Sequence, residues 1–385
     1  MDFGLSPEQE AFRNEVRSFF AGALDTTVRA EMAEQGNEHS PTLHRRLAER
    51  GWLGLGWPRE VGGAGMSPLE LAIFMDESHY AGAPITGAMV SSIVGNALIH
   101  LAPDEVRAEF LGRVARGELL FCLGYTEPDA GSDLAALKTR AVRDGDQYVV
   151  NGSKIFTTNA HLADYMLLAA RTDPVAAKHK GISLFLMAMD QPGISISPIH
   201  TMGGVRVNAV FLEDVRVPVR LRLGEENSGW YGLAVALDIE RAATGFVGTA
   251  RRVYDETTAW LLAPERDHLV DDRVARTMGR LGMELEAATL LAYRVPWMQA
   301  QGAVPTIESS VAKLYSTELA QRVANSCMDA CGPHGQLTPE DRDPPAGGIA
   351  EQVHRSAVVL TIAGGSSEIQ RNIIATRGLG LPRGA

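Results

Sequence analysis

The chain has 385 residues, 45% hydrophobic and 22% charged, enough to bury a sizeable core and to hold two or three structural units. Acidic residues outnumber basic ones, 47 to 36, and the net charge of −11 argues against nucleic acid and anionic membrane as partners. No apolar run approaches the ~20 residues of a membrane span. Cys122, Cys327 and Cys331 cannot form a disulfide framework, and Met1-Asp2-Phe3-Gly4 carries no secretory pattern, so a cytoplasmic protein is expected.

In chain order, Ser6-Pro7-Glu8-Gln9 reads as a helix start, with a capping serine, a first-turn proline and a capping-box glutamine. Phe12, Val16, Phe19 and Phe20 then share one helical face. Ser67-Pro68-Leu69-Glu70 repeats the signal, and a glycine-rich aromatic turn region holding Trp52 and Trp57 lies between. Both tryptophans read as packing residues. The character changes near Phe121. Tyr148-Val149-Val150, Asn151-Gly152 and Lys154-Ile155-Phe156-Thr157 predict a hairpin turning at Asn-Gly. Segments 165–170, 182–189, 194–199 and 207–217 predict further strands. Helical periodicity returns from Gly229, broken by a Pro/Gly-rich loop at 332–348.

Tyr125-Thr126-Glu127-Pro128-Asp129-Ala130-Gly131-Ser132-Asp133 is the most specific stretch, an open backbone of small residues and hydroxyls suited to a polar heteroaromatic or a phosphate. It resembles the flavin-binding signature of acyl-CoA dehydrogenases. The resemblance continues in register through Asn151-Gly152-Ser153-Lys154-Ile155-Phe156-Thr157-Thr158-Asn159, Gly224-Glu225-Glu226-Asn227-Ser228-Gly229-Trp230 and Gly364-Gly365-Ser366-Ser367-Glu368-Ile369-Gln370-Arg371-Asn372. It implies an α+β fold: an N-terminal helical domain (1–121), a β-barrel-like middle domain (122–226) and a C-terminal four-helix bundle (227–385). It also implies FAD between the last two domains. By position Leu123, Tyr125, Thr126, Gly131 and Ser132 would line the flavin, with Phe156 and Thr158 around its ring and Ser132 also facing substrate. Ser366, Ser367 and Glu368 open a helix whose free N–H groups would take the adenosine or phosphate end.

The implied chemistry is α,β-dehydrogenation of an acyl thioester, on coenzyme A or a carrier protein. A carboxylate takes the α-proton and the β-hydrogen leaves as hydride to flavin N5. The family's commonest base position is Gly364 here, which leaves only shape and a backbone donor. Leu237-Asp238-Ile239-Glu240-Arg241 offers a replacement, because this pattern resembles isovaleryl-CoA and long-chain acyl-CoA dehydrogenases, which place the base at the position of Glu240. Asp238 and Arg241 would contact the thioester. Two features depart from the family: 261–269 lacks the Arg-x-x-Phe-Gly that reaches a partner's FAD, leaving Arg266 as a substitute phosphate contact, and 329–335 only loosely matches its glycine turn. A homodimer or homotetramer, or an assembly with a homologous partner chain, is therefore expected, with an acceptor such as an electron-transfer flavoprotein. The competing readings are a same-fold flavin oxidase or monooxygenase, and a non-catalytic, FAD-poor subunit of a heteromeric dehydrogenase. Cys327, Cys331 and His334 have helical spacing but no evident fourth metal ligand, and Ser310 with Lys313 matches Ser-x-x-Lys by helical accident.

Overall fold

In a computed structural model, residues 4–35, 39–236 and 243–382 are described. By contact the chain groups into two units that cut across sequence order, one of residues 1–22, 67–83 and 240–385, the other of residues 23–66 and 84–239.

The helical unit contains α1 (Pro7–Ala23), α4 (Pro68–Tyr80), α8 (Thr244–Leu261), α9 (Asp272–Ala300), α10 (Thr306–Ala330), α11 (Ile349–Ser356) and α12 (Ser367–Ile373). Both predicted helix starts form: the Ser6 amide donates to Gln9 Oε1, and Ser67 heads a capping box with Glu70. Phe12, Val16 and Phe20 are buried from α1. The core of α8 to α11 is built from small and branched side chains, including Val253, Leu281, Ala288, Ala320 and Ala324, which let long helices approach closely. Asp271 caps α9, its carboxylate accepting from the Val274 amide.

The other unit contains α2 (Thr26–Gln35), α3 (Pro41–Glu49), α5 (Thr86–Leu101), α6 (Asp104–Ala115), an eight-stranded sheet and α7 (Gly229–Ala236). The strands are β1 (Phe121–Gly124), β2 (Arg140–Asp144), β3 (Gln147–Lys154), β4 (Tyr165–Arg171), β5 (Ile182–Ala188), β6 (Ile194–His200), β7 (Arg206–Pro218) and β8 (Arg222–Leu223). Their order is β6-β7-β3-β2-β4-β5-β8, with β1 parallel to β4. β4 and β5 are buried almost throughout, which is why they read as continuous apolar runs rather than as alternation. Trp57 fills a slot whose walls are glycines: a Cβ on Gly95 would fall 1.8 Å from Trp57 Cζ2. Both Trp52 and Trp57 are core residues, as expected.

The Asn151-Gly152 expectation is corrected. β3 runs straight through that dipeptide, and the register against β7 shifts between Val150 and Gly152, so it is a β-bulge. Asn151 crosses to Asp214, donating from Nδ2 to its Oδ1 at 3.0 Å and accepting from its amide at 2.9 Å. A Cβ at Gly152 would meet Thr139 Oγ1 at 2.5 Å, so close backbone approach dictates this glycine. The β2–β3 reversal lies earlier in the chain, around Gly145 at φ +63°.

Candidate functional site

Two of the flavin-like segments meet edge to edge. β1 delivers Leu123 half-buried and leads into buried Tyr125 and half-buried Thr126. β3 ends at Lys154, and the next amide, that of Ile155, donates to the Thr126 carbonyl at 2.9 Å. Phe156 follows in the left-handed region, φ +57°, with its ring 60% exposed. A bulky residue in this conformation costs about 1–3 kcal/mol and persists only where its surroundings impose it. Here the imposition is visible: the Ile155 amide is held before it, and after it Thr157 exchanges backbone hydrogen bonds with Asn208 at 2.9 and 3.1 Å. Asn208 Nδ2 adds a third bond to the Thr157 carbonyl at 2.9 Å. Thr158 sits beside this turn, half-buried.

Beneath both segments lies a charge pair that the motifs alone do not reveal. Lys154 is fully buried and Glu127 nearly so. Lys154 Nζ donates to Glu127 Oε1 at 2.8 Å and to the Tyr125 carbonyl at 3.1 Å. The remaining carboxylate capacity is taken by the Lys138 and Thr139 amides, at 2.6 and 2.9 Å. Burial presses the Glu127 carboxyl upward, but the Lys154 charge and these hydrogen bonds outweigh it and hold it below the ordinary range. Burial pushes the Lys154 ammonium down to about 8 in spite of Glu127. In the sequence the pair shows only as one of three acidic residues in the first segment and the lysine of the second.

Gly131 and Ser132 lie on an exposed turn whose base is closed by reciprocal Glu127–Ala130 backbone bonds. A Cβ on Gly131 would meet nothing within 4 Å among the described residues.

The closing motif belongs to the helical unit. The Ser366–Glu368 turn opens α12, with the Ser366 hydroxyl capping it by accepting from the Ile369 amide at 3.4 Å. α12 is only seven residues long, so little macrodipole stands behind its N-terminus. The preceding turn is fixed by side chains: Lys313 Nζ donates to the Gly365 carbonyl at 2.7 Å, and Gln370 Nε2 to the Gly364 carbonyl at 3.2 Å. Ser310 instead bonds the Thr306 carbonyl, so the Ser-x-x-Lys match carries no dyad. Gly364 has φ +64°, and among the described residues a Cβ there would meet nothing within 4 Å. The backbone, not crowding, selects glycine at this position. Ser367 and Glu368 help line a cavity of about 460 Å³, with Glu318, Arg322 and Arg371 on its walls.

Other expectations resolve plainly. Asp238, Glu240 and Arg241 lie outside the described residues. Arg266 stacks 4.3 Å over Trp260 and donates to its carbonyl at 3.0 Å, with its side chain 25% exposed. Among the described residues no His/Cys/Asp/Glu cluster could hold a metal, and no helix is long and apolar enough to cross a membrane. All three cysteines are buried thiols.

The residues around Phe156 fit a flat heteroaromatic with a polar edge: Phe156 is 60% exposed, and Thr157 Oγ1 and both amide atoms of Asn159 are buried without a hydrogen-bond partner among the described residues. In the helical unit Ser367 Oγ is likewise buried without one among the described residues.

Comparison with known proteins agrees with this geometry. Residues 6–118 match "Acyl-CoA dehydrogenase, N-terminal domain", 122–215 the middle domain and 227–379 the C-terminal domain of the same family. The chain is 37% identical over 390 residues to acyl-CoA dehydrogenase FadE29 of Mycobacterium tuberculosis strain H37Rv, covering 100% of this chain and 99% of the relative. Among solved structures it is similar to the Tcur3481–Tcur3483 steroid ACAD, with a TM-score of 0.93, 37% identity and 100% of each chain covered. The ChsE4–ChsE5 complex from Mycobacterium tuberculosis is similar too, with a TM-score of 0.91, 35% identity and again 100% of each chain. With its helical and β-sheet parts as the resemblance implies, the chain belongs to the acyl-CoA dehydrogenase family, flavin-dependent oxidoreductases that dehydrogenate acyl thioesters.

Proposed function

We propose that the chain binds FAD and dehydrogenates a bulky acyl thioester, with Glu240 as the base and a functional division into 1–121, 122–226 and 227–385. The observation that carries the cofactor reading is the Ile155–Thr126 bond, which sets the two flavin-like segments side by side under an exposed, strained Phe156. Leu123, Tyr125, Thr126, Gly131, Ser132, Phe156 and Thr158 would hold the ring side. Ser366, Ser367 and Glu368 would meet the adenosine or phosphate end beside the cavity that Ser367 and Glu368 line. When bound, the flavin supplies a hydride acceptor for the β-hydrogen. Glu240 takes the α-proton, and the backbone N–H of Gly364 helps hold the thioester oxygen, so that charge developing there meets a fixed donor. Asp238 and Arg241 would orient the thioester.

The lack of a side chain at Gly364, with no described residue within 4 Å of a Cβ there, favours an acyl group with substituents near the reacting carbons. A similar solved structure described as a steroid ACAD fits the same tendency toward bulk. The lack of Phe-Gly at 261–269 favours a homologous partner chain, and two similar solved structures carry paired names. An electron-transfer flavoprotein would reoxidise the cofactor. Anaerobic titration of the purified holoenzyme with branched and unbranched acyl thioesters tests the reading. Glu240→Gln should slow flavin reduction by ~10²-fold or more with FAD still bound. Reduction at the wild-type rate would place the base elsewhere, and rapid O₂ consumption without another acceptor would favour the oxidase reading.

A further inference from the structure

We infer that Lys154, acting through Glu127, is a positioning residue that locks the two flavin-facing segments at a fixed separation; this rests on the FAD reading above. Three bonds converge where those segments touch. Lys154 Nζ holds the Tyr125 carbonyl at 3.1 Å, the neighbouring Ile155 amide holds the Thr126 carbonyl at 2.9 Å, and Lys154 Nζ is anchored on Glu127 at 2.8 Å. One side chain therefore pulls the Tyr125 carbonyl inward while its own backbone continuation fixes Thr126. Glu127 is itself immobilised by accepting from the Lys138 and Thr139 amides, and its backbone closes the Gly131–Ser132 turn through the bonds to Ala130. Lys154, the segment carrying Phe156 and the turn carrying Ser132 thus share one carboxylate as their fixed point.

The arrangement is costly if it serves stability alone. A fully buried ion pair is often no better than an apolar pair of the same volume, because desolvation offsets the attraction. What an apolar pair cannot supply is a donor aimed at the Tyr125 carbonyl. A strained residue two positions after the lysine, with its ring exposed, is where small displacements would alter contact with a stacked ring. The clamp has no part in the proton transfer, and no atom of it is required to touch substrate.

The test separates charge balance from positioning. Lys154→Met with Glu127→Gln removes both charges at nearly constant volume. The holoenzyme, with any co-purifying partner chain, is stripped of flavin and compared with wild type by thermal melting and by fluorescence titration with FAD. The double variant should melt within a few degrees of wild type yet bind FAD at least 10-fold more weakly, with a shifted flavin absorbance band. Lys154→Arg, which keeps the charge and a donor, should recover part of that affinity. A double variant with wild-type affinity and spectrum overturns the clamp. If the double variant does not fold, Glu127→Gln alone carries the same reading, with an expected loss of about threefold and wild-type affinity as the refuting result. Wild-type protein that takes up no FAD refutes the flavin reading, and the clamp with it.

Discussion

In the helical unit two neighbouring carboxylates, Asp76 and Glu77, lie under three arginines whose outer ends reach water, whereas in the other unit one lysine and one glutamate face each other sealed from solvent. Arg17 grips Glu77 with two bonds of 2.8 and 2.9 Å, Arg13 approaches it at 3.4 Å, and Arg251 reaches Asp76 at 3.3 Å. Tyr293 completes the cluster by donating to Asp76 at 2.9 Å. The arginine side chains are 19, 52 and 23% exposed for Arg13, Arg17 and Arg251, while both carboxylates are buried. This cluster fastens α1, α4, α8 and α9 together. The difference is one of redundancy: a fan of long side chains replaces any single contact with water or a neighbour, and a sealed pair cannot.

The sharpest way to break that contrast is Lys154→Met alone. It strands the Glu127 carboxylate in an apolar site, and removing one partner of a buried pair costs about 3–5 kcal/mol. Thermal melting of the variant should show the largest drop of any single substitution in either cluster. The reverse change, Glu127→Gln, should cost less, because a lysine whose pKa already lies near 8 can shed its proton. Equal drops for the two would mean that water reaches the pair.

Acid should separate the units. Burial holds the imidazoles of His39 and His44 down to about 4, against the attraction of Glu31 for His39 and with added repulsion between the two rings. Their folded-state values lie below the unfolded 6.5, so the unfolded state binds more protons. The stability they allow is fully present above pH 6.5 and is lost as pH falls toward 4, at about 2 kcal/mol for each ring by pH 5. In the helical unit burial also holds the His79 imidazole down, but Asp76 runs the other way and offsets it, since burial raises its carboxyl and the folded state holds the proton better than the unfolded one. Hydrogen exchange followed between pH 7 and 4.5, corrected for intrinsic rates, should show protection lost first in β4 and β5 and later in α9 and α10. Simultaneous loss would sink the distinction.

Much of the architecture is legible in the sequence. The strands β4 to β7 and both proline-led helix starts follow from local pattern, which needs only neighbours along the chain. Asn151-Gly152 misleads because Asn-Gly serves a bulge as readily as a turn. What chooses between them is Thr139 lying against Gly152, a contact between distant residues. Lys154 and Asp76 escape a reading by pattern for a related reason. A lysine at a strand end and an aspartate in a helix normally point to solvent, and only partners far along the chain, Glu127 and Arg251, make their burial tolerable. The motifs locate the flavin-facing edges, while the charge beneath them emerges only in three dimensions.

The smallest effect should come from Glu77→Gln. The amide keeps the volume of the carboxylate and one acceptor oxygen, so Arg17 retains a single bond in place of its fork. Arg17 is half exposed, and its freed nitrogen can bind water. Arg13 and Arg251 keep Glu10 and Asp76 respectively as acidic neighbours, at 3.2 and 3.3 Å. No charge is left both buried and alone, so the penalty of several kcal/mol expected at Lys154 does not arise. The loss should be about 1–2 kcal/mol, the scale of exchanging one charged hydrogen bond for a neutral one. FAD affinity should be unchanged, because no residue of this cluster belongs to the flavin-facing segments. If Glu77→Gln lowers the melting temperature as far as Lys154→Met does, the arginine fan is not redundant, and the contrast between the two buried clusters fails.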